Sequence, residues 1–398
     1  SRVVGHFKNM NTQSSTFCVM PWIHQNLSLP NNYKPCCNAD SEYKNITAQT
    51  TSVLDAFHSG EASTLRQQLD NNENPEICNV CWNKESIGVE SYRQIYNKQY
   101  SSSLSNKPVL KYIDIEFDNV CNLQCRMCSQ HNSDQILKSI DLFKEKGLPL
   151  PSNLYGKANH SYYQKEKKDY VKEVLHNIDQ FKVTGGEPFL SKDFLEILDI
   201  CIDKDLAKGI TLRITTNGTK FSKSILNKLQ KFKEVFLTIS IDGTGSVYNY
   251  IRYPFNWEQL NKRLLELKQY SFNVMMSCVV QAYNWLNLNE LINYSQDIKC
   301  AIEFNLEIYP NGIELSPRYL PNHILDLGLE RFRGTNHKQI KDFENFVNYY
   351  KTNKVSHNQL ERKNDKLYET TINYDTIREQ SYKTLDPVLT EWLNTLKI

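Results

Sequence analysis

The chain has 398 residues, 40% hydrophobic and 23% charged, with a formal net charge of +2. That length can bury a large core and form two or three domains, or one barrel with an appendage. The near-neutral charge gives no electrostatic case for nucleic acid or an anionic membrane as an obligatory partner. No apolar run approaches the ~20 residues of a membrane span, and the first fifteen residues lack the apolar core of a signal peptide, so the expected compartment is the cytoplasm.

The N-terminal block reads "FCVMPWIHQNLSLPNNYKPCCNAD", then a helical "TSVLDAFHSGEASTLRQQL", then "PEICNVCWNKESIGVESYR". It carries five of the eleven cysteines: Cys18, Cys36, Cys37, Cys78 and Cys81. A reducing cytosol argues for metal or catalytic thiols over disulfides. Joined across a hairpin and a helix, Cys18, one or both of Cys36 and Cys37, and Cys78 with Cys81 make a four-thiolate site.

From residue 110 onward, six strand-like runs (110–117, 180–186, 210–218, 234–243, 272–281 and 301–310) alternate with amphipathic helical stretches. This alternation implies a parallel sheet with helical crossovers, whose ligands gather at the carboxyl ends of the strands. The conspicuous motifs fall on that rim: "CNLQCRMC" after the first strand, "GGEP" after the second, "TTNG" after the third and "SIDG" after the fourth. Three thiolates within eight residues, Cys121, Cys125 and Cys128, can hold three corners of an iron–sulfur cube. Soft sulfur also suits zinc, for which His131 would be a fourth ligand. Cys201, Cys278 and Cys300 stand alone. Cys278 lies in the fifth strand, where alternation admits either an inward thiol able to donate a hydrogen atom or a packed core cysteine.

Between Cys128 and Gly185 the aperiodic "GLPLPSNLYGKANHSYYQKEKKDY" reads as a loop or lid over the barrel mouth. After the sixth strand, "YPNGIELSPRYLP" is a turn-rich exit, and the remainder is helical and charged. The expected division is an N-terminal cysteine-rich module (1–105), a barrel (106–320) and a helical extension (321–398).

CxxxCxxC at the exit of a first strand, followed in order by GGEP, TTNG and SIDG, resembles the radical S-adenosylmethionine (SAM) superfamily over roughly residues 108–320. The resemblance implies an α/β fold, a partial (β/α)6 barrel of the TIM type, and a [4Fe–4S] cluster on Cys121, Cys125 and Cys128 whose open iron is chelated by SAM. It implies reductive cleavage of SAM to a 5′-deoxyadenosyl radical that abstracts hydrogen from substrate. By the same resemblance Gly185, Gly186 and Glu187 lie at the methionine ammonium, and Asn217, Ser240 and Asp242 lie at polar groups of the ribose and methionine end. Arg252 would pair with the SAM carboxylate. Met127 stands where an aromatic residue is common, leaving a backbone contact to adenine. The N-terminal block resembles the twitch/SPASM module, which holds an auxiliary [4Fe–4S] cluster; counting back from the cysteine pair, Cys36 fits the ligand slot better than Cys37.

The implied function is a radical SAM enzyme performing dehydrogenation, epimerisation or peptide modification on a small molecule or peptide, with an external electron donor such as flavodoxin or ferredoxin. The sequence shows no winged-helix-like leader-binding segment, which tilts the expectation away from ribosomal-peptide maturation. The alternatives are a zinc-stabilised binding protein on a barrel scaffold and a radical SAM enzyme acting on RNA or protein.

Overall fold

All six runs form strands. The computed structural model describes residues 12–29, 31–154, 165–306 and 314–396. In chain order the strands are β1 (His24–Ser28), β2 (Asn32–Lys34), β3 (Tyr112–Glu116), β4 (Gln180–Thr184), β5 (Thr211–Thr216), β6 (Glu234–Ser240), β7 (Asn273–Val279) and β8 (Ala301–Asn305). They make one sheet in the order β2-β1-β3-β4-β5-β6-β7-β8. Every neighbouring pair from β1 to β8 is parallel, and only β2 runs antiparallel to its neighbour. Parallel strands in sequential order, returned by helices, are the winding of the α/β barrel class.

The two faces of the sheet differ in kind. Val183, Ile214, Ile239, Met276 and Phe304 are buried on the outer face, where Phe181 meets Phe194 of the helix Lys192–Asp203 and Phe304 meets Phe332 of the helix Asn322–Arg333. The alternate residues, among them Lys182, Thr184, Arg213, Thr215, Thr238 and Ser277, are half-buried on the inner face.

Three features depart from the sequence-based expectation. The N-terminal block adds β1 and β2 to the barrel's own sheet and shares its core, from Phe17 to Leu393. Its helix Tyr92–Tyr100 spans the inner face: the Tyr92 hydroxyl donates to Asn305 on β8 (3.0 Å) and the Tyr100 hydroxyl to Gln180 on β4 (3.2 Å). The stretch between Cys128 and Gly185 contains the helices Ile136–Glu145 and Lys165–Val174. The second of these is so charged that its buried stripe (Val171, Val174) is inconspicuous in sequence. Residues 155–164 of the expected lid, and residues 307–313 of the sixth strand's end and exit, lie outside the described residues. The C-terminal region is helical as expected (Asn322–Arg333, Ile340–Thr352, His357–Arg378, Pro387–Thr395). Among the described residues, no helix is long and apolar enough to cross a membrane.

Candidate functional site: a thiol-lined cavity at the strand ends

The loop leaving β3 carries Cys121, Cys125 and Cys128 and is held by its backbone. The N–H groups of Gln124 and Arg126 donate to the carbonyls of Tyr253 (2.7 Å) and Ile251 (3.0 Å), beyond the end of β6. The turn after β4 closes on the same loop. Gly186 N–H donates to the Asp118 carbonyl (3.1 Å) and Glu187 N–H to the Val120 carbonyl (2.7 Å). Gly185 has φ +112°, and a Cβ on it would meet the Asp118 oxygen at 2.9 Å; one on Gly186 would lie 2.6 Å from the Asn119 carbonyl carbon. Both glycines are therefore demanded by the approach of the cysteine loop itself.

A cavity of about 260 Å³ opens at this rim, lined by Cys121, Leu123, Cys125, Met127, Cys128, Asn132, Thr184, Gly185, Gly186, Thr215, Thr216, Asn217, Ser240 and Arg252. Four successive strand ends thus bring together nine residues singled out from sequence: the three thiols, Met127, Gly185, Gly186, Asn217, Ser240 and Arg252. The Asn217 amide donates to Asn122 (3.2 Å) and to the Cys121 sulfur (3.7 Å).

Glu187 and Asp242 stand behind this lining. Buried Glu187 accepts from the Thr216 hydroxyl (2.7 Å) and the N–H groups of Asn217 (2.8 Å) and Phe189 (3.2 Å), and so fixes the TTN turn. Burial raises its carboxyl to about 7, against these bonds, which lower it. Asp242 accepts from Arg252 Nε (2.7 Å) and Val279 N–H (2.9 Å). The arginine is thereby oriented with Nη1 4.0 Å from the Cys125 sulfur. His131, adjacent to the lining residue Asn132, does not line the cavity.

Cys278 requires a correction. Its neighbour Ser277 pairs with the cavity-lining Ser240 and shares its face, so Cys278 points outward, level with Phe304. It is fully buried, and its sulfur accepts from the Asn284 amide at 3.5 Å. The outward phase of β7 excludes an inward hydrogen-donating thiol at this position.

Burial pushes the Cys121 thiol up to about 12, with Cys125 adding to the rise. Cys128 is raised by burial and its two companions; Cys125 is raised by burial and pulled back by Arg252. Thiols whose ionisation is opposed by burial and by one another favour the protonated form until a cation compensates their charge.

At the other end of the sheet Cys18, Cys36, Cys78 and Cys81 form a second group. Burial raises all four, and each of Cys18, Cys36 and Cys78 is raised further by others of the set. Burial takes Cys78 to about 12. Cys37 leaves the same turn on the other side: its sulfur accepts from Lys182 Nζ (3.3 Å) on β4 and lies 3.9 Å from the Tyr96 hydroxyl. Of the adjacent pair, Cys36 joins the other three thiols and Cys37 faces the inner side of the sheet.

Sequence reasoning missed the clamp that ties the cysteine loop to the end of the helix His357–Arg378. Arg126, inside CRMC, is fully buried and lies 3.6 Å over the Tyr250 ring. Its Nε donates to the Tyr250 carbonyl (2.9 Å) and its Nη2 to Asp375 (2.6 Å) and Gln380 (3.1 Å). Arg378 donates to the Gln124 carbonyl (2.5 Å), and the Asn153 amide donates to the Cys128 carbonyl. Only an arginine between two cysteines hinted at this, and its partners lie 124 (Tyr250), 249 (Asp375) and 254 (Gln380) residues away.

The radical SAM superfamily model matches residues 115–294. The matched stretch is somewhat less than half of the chain and contains the cysteine loop and the GGEP, TTNG and SIDG turns. The chain is 26% identical over 193 residues to an uncharacterized protein of Methanocaldococcus jannaschii, a stretch covering 46% of this chain and 58% of that protein. It is 25% identical over 143 residues to the GTP 3′,8-cyclase of Photorhabdus laumondii (35% of each). It is 24% identical over 194 residues to the 7,8-dihydro-6-hydroxymethylpterin dimethyltransferase of M. jannaschii (45% and 37%). The chain thus spans between about a third and three fifths of the length of these relatives. Among solved structures, anSMEcpe with bound AdoMet gives a TM-score of 0.39 at 20% identity, covering 60% of this chain and 61% of that one. Streptococcus suis SuiB bound to S-adenosylmethionine gives 0.39 at 15%, covering 80% and 66%.

Proposed function

We propose that this chain is a radical SAM enzyme in which Cys121, Cys125 and Cys128 hold a [4Fe–4S] cluster and the rim cavity takes SAM. Cys18, Cys36, Cys78 and Cys81 hold an auxiliary [4Fe–4S] cluster. When bound, the first cluster supplies the electron that cleaves SAM to a 5′-deoxyadenosyl radical, and that radical removes hydrogen from an organic substrate, a small molecule or a peptide. A soluble one-electron carrier such as flavodoxin or ferredoxin reduces it.

The single observation carrying the reading is the cavity in which three thiols and the ends of β4, β5 and β6 converge. Its donor set favours a cluster over a lone ion. A structural zinc takes four protein ligands, whereas the cavity lining offers three thiols and His131 stays outside it, the donor set of a cluster with one open iron. The remaining steps belong to this chain's own residues. Arg252, gripped by Asp242 through Nε, lines the cavity with Nη1 4.0 Å from the Cys125 sulfur, and its guanidinium suits a carboxylate there. Ser240 and the Asn217 side chain offer polar contacts, and Glu187 holds the turn carrying Asn217 rather than reaching the cavity. Met127 supplies an apolar wall.

Anaerobic reconstitution should load about eight irons, four per cluster. The triple variant Cys121→Ala, Cys125→Ala, Cys128→Ala should retain about four and form no 5′-deoxyadenosine. Nucleoside formation by that variant, or zinc in place of iron in the wild type, would refute the assignment.

A further inference from the structure

On the inner face, two residues before the cavity-lining Thr184 and Thr215, β4 and β5 carry Lys182 and Arg213. They are register partners on adjacent parallel strands. Their side chains therefore leave the same face about 5 Å apart, about 7 Å below the rim. Both are half-buried. The Tyr100 phenol, on the helix crossing this face, feels both positive charges.

Their charges are not balanced. Lys182 donates to Asp114 (2.8 Å), which neutralises it. Glu116 accepts from the Leu29 N–H (2.9 Å) and is close enough to Lys167 to feel its charge. Glu303 lies on β8, three strands from β5. Arg213 donates through Nε to Gln180 (2.9 Å), and its guanidinium lies 4.1 Å over the Phe236 ring. Among the described residues, no carboxylate forms an ion pair with it. One cation, with its plane set by a ring and an amide, is left over in the lumen.

We propose that Arg213 with Lys182 binds an oxyanion of the substrate, a carboxylate or a phosphate. This rests on the reading of the rim cavity as the place where SAM is cleaved, and deepens it by naming a substrate class. A half-buried guanidinium without a counter-charge is stabilised by a planar, two-oxygen acceptor. Stacking on Phe236 and the bond to Gln180 hold the fork rigid, so little freedom is lost on binding. An anion seated there places the reacting carbon on the order of 7 Å away, at the rim.

The test is calorimetric titration of the anaerobically loaded full chain, at low salt, with pyrophosphate and separately with glutarate. Binding of either is expected, weakened about tenfold or more in Arg213→Gln and unchanged in the exposed control Lys233→Gln. Preference for pyrophosphate indicates a phosphate-bearing substrate, and preference for glutarate a carboxylate. In the wild-type chain, whichever anion binds should protect Arg213 from phenylglyoxal, read by mass spectrometry; this arm needs no variant to fold. The proposal is overturned if neither anion binds, if Arg213→Gln binds like the wild type, or if Arg213 is modified equally with and without anion. SAM cleavage without anion binding removes this site alone; anion binding without SAM cleavage removes the enzymatic reading and leaves the site.

Discussion

Gly186 is the point at which the GGEP turn and the cysteine loop cannot separate. In Gly186→Ala the new methyl would sit 2.6 Å from the carbonyl carbon of Asn119 and 2.7 Å from that of Val120, closer still to the Val120 oxygen. Ordinary carbon contacts begin near 3.5 Å, so the backbones must part by about 1 Å. No flexible side chain can absorb this. Parting them strains the bonds from Gly186 N–H to Asp118 (3.1 Å) and from Glu187 N–H to Val120 (2.7 Å). Overpacking costs about 1–3 kcal/mol and a weakened hydrogen bond about 1 more, giving about 2–4 kcal/mol. Because the displaced residues adjoin Cys121, iron uptake at the first cluster should fall as well. The comparison is Gly209→Ala, where a Cβ meets nothing within 4 Å and the change should stay within about 0.5 kcal/mol. Urea denaturation of the metal-free chains, with iron content after reconstitution, measures both. A Gly186→Ala protein as stable as Gly209→Ala and fully loaded with iron would refute the reasoning.

Cys36→Ala should lower reconstituted iron from about eight to about four per chain, whereas Cys37→Ala should leave it near eight; the reverse pattern would mean that the turn presents the other thiol. Arg126→Met leaves Asp375 without its buried partner and should destabilise the fold by about 3–5 kcal/mol; a loss below about 1 kcal/mol in chemical denaturation would show that the clamp is dispensable. Burial lifts Glu187 from its ordinary value near 4.5 to about 7, so between those values the folded chain binds more protons than the unfolded one. Its contribution to stability is then present at low pH and lost as pH rises through 7, by up to about 3 kcal/mol. Stability measured from pH 5 to pH 8 should fall less in Glu187→Gln than in the wild type, and superimposable profiles would contradict the raised value.

The barrel was legible because buried parallel strands are short runs rich in Val, Ile and Phe, and because the cysteine, GGEP, TTNG and SIDG motifs all follow such runs. β1 was not, since its HQNLS contains four buried polar residues, His24, Gln25, Asn26 and Ser28. The imidazole of His24 is bonded to the Pro35 carbonyl (3.1 Å), and the Asn26 amide donates to the Asp114 carbonyl (3.3 Å). Buried polar residues bonded to neighbouring backbone read as loop in a sequence. Cys278 illustrates a different failure: alternation supplies a period, but only the register with Ser240 supplies the phase. Counting back from the cysteine pair already favoured Cys36, but the contact that draws Cys37 to the inner face comes from Lys182, 145 residues away, and was not legible.

The register also fixes where the two thiol groups lie. β1 runs parallel to β3 with His24 beside Tyr112, and β2 runs back with Asn26 beside Lys34. Cys36, two residues past Lys34, is therefore level with the amino ends of the strands, whereas Cys121 follows the carboxyl end of β3. Four residue rises from Tyr112 to Glu116 separate these levels by roughly 13 Å. Lys182 and Arg213 sit between them. Under the proposed reading, a substrate held there by its oxyanion would present one end to the rim cavity and the other toward the turn that carries Cys36 and Cys37. At that turn it is Cys37, 3.3 Å from Lys182 Nζ, that faces the inner side, while Cys36 turns away from it toward Cys18, Cys78 and Cys81. A substrate that touched only the rim would leave Arg213 as it stands, bonded to Gln180 and stacked on Phe236 with no carboxylate partner among the described residues.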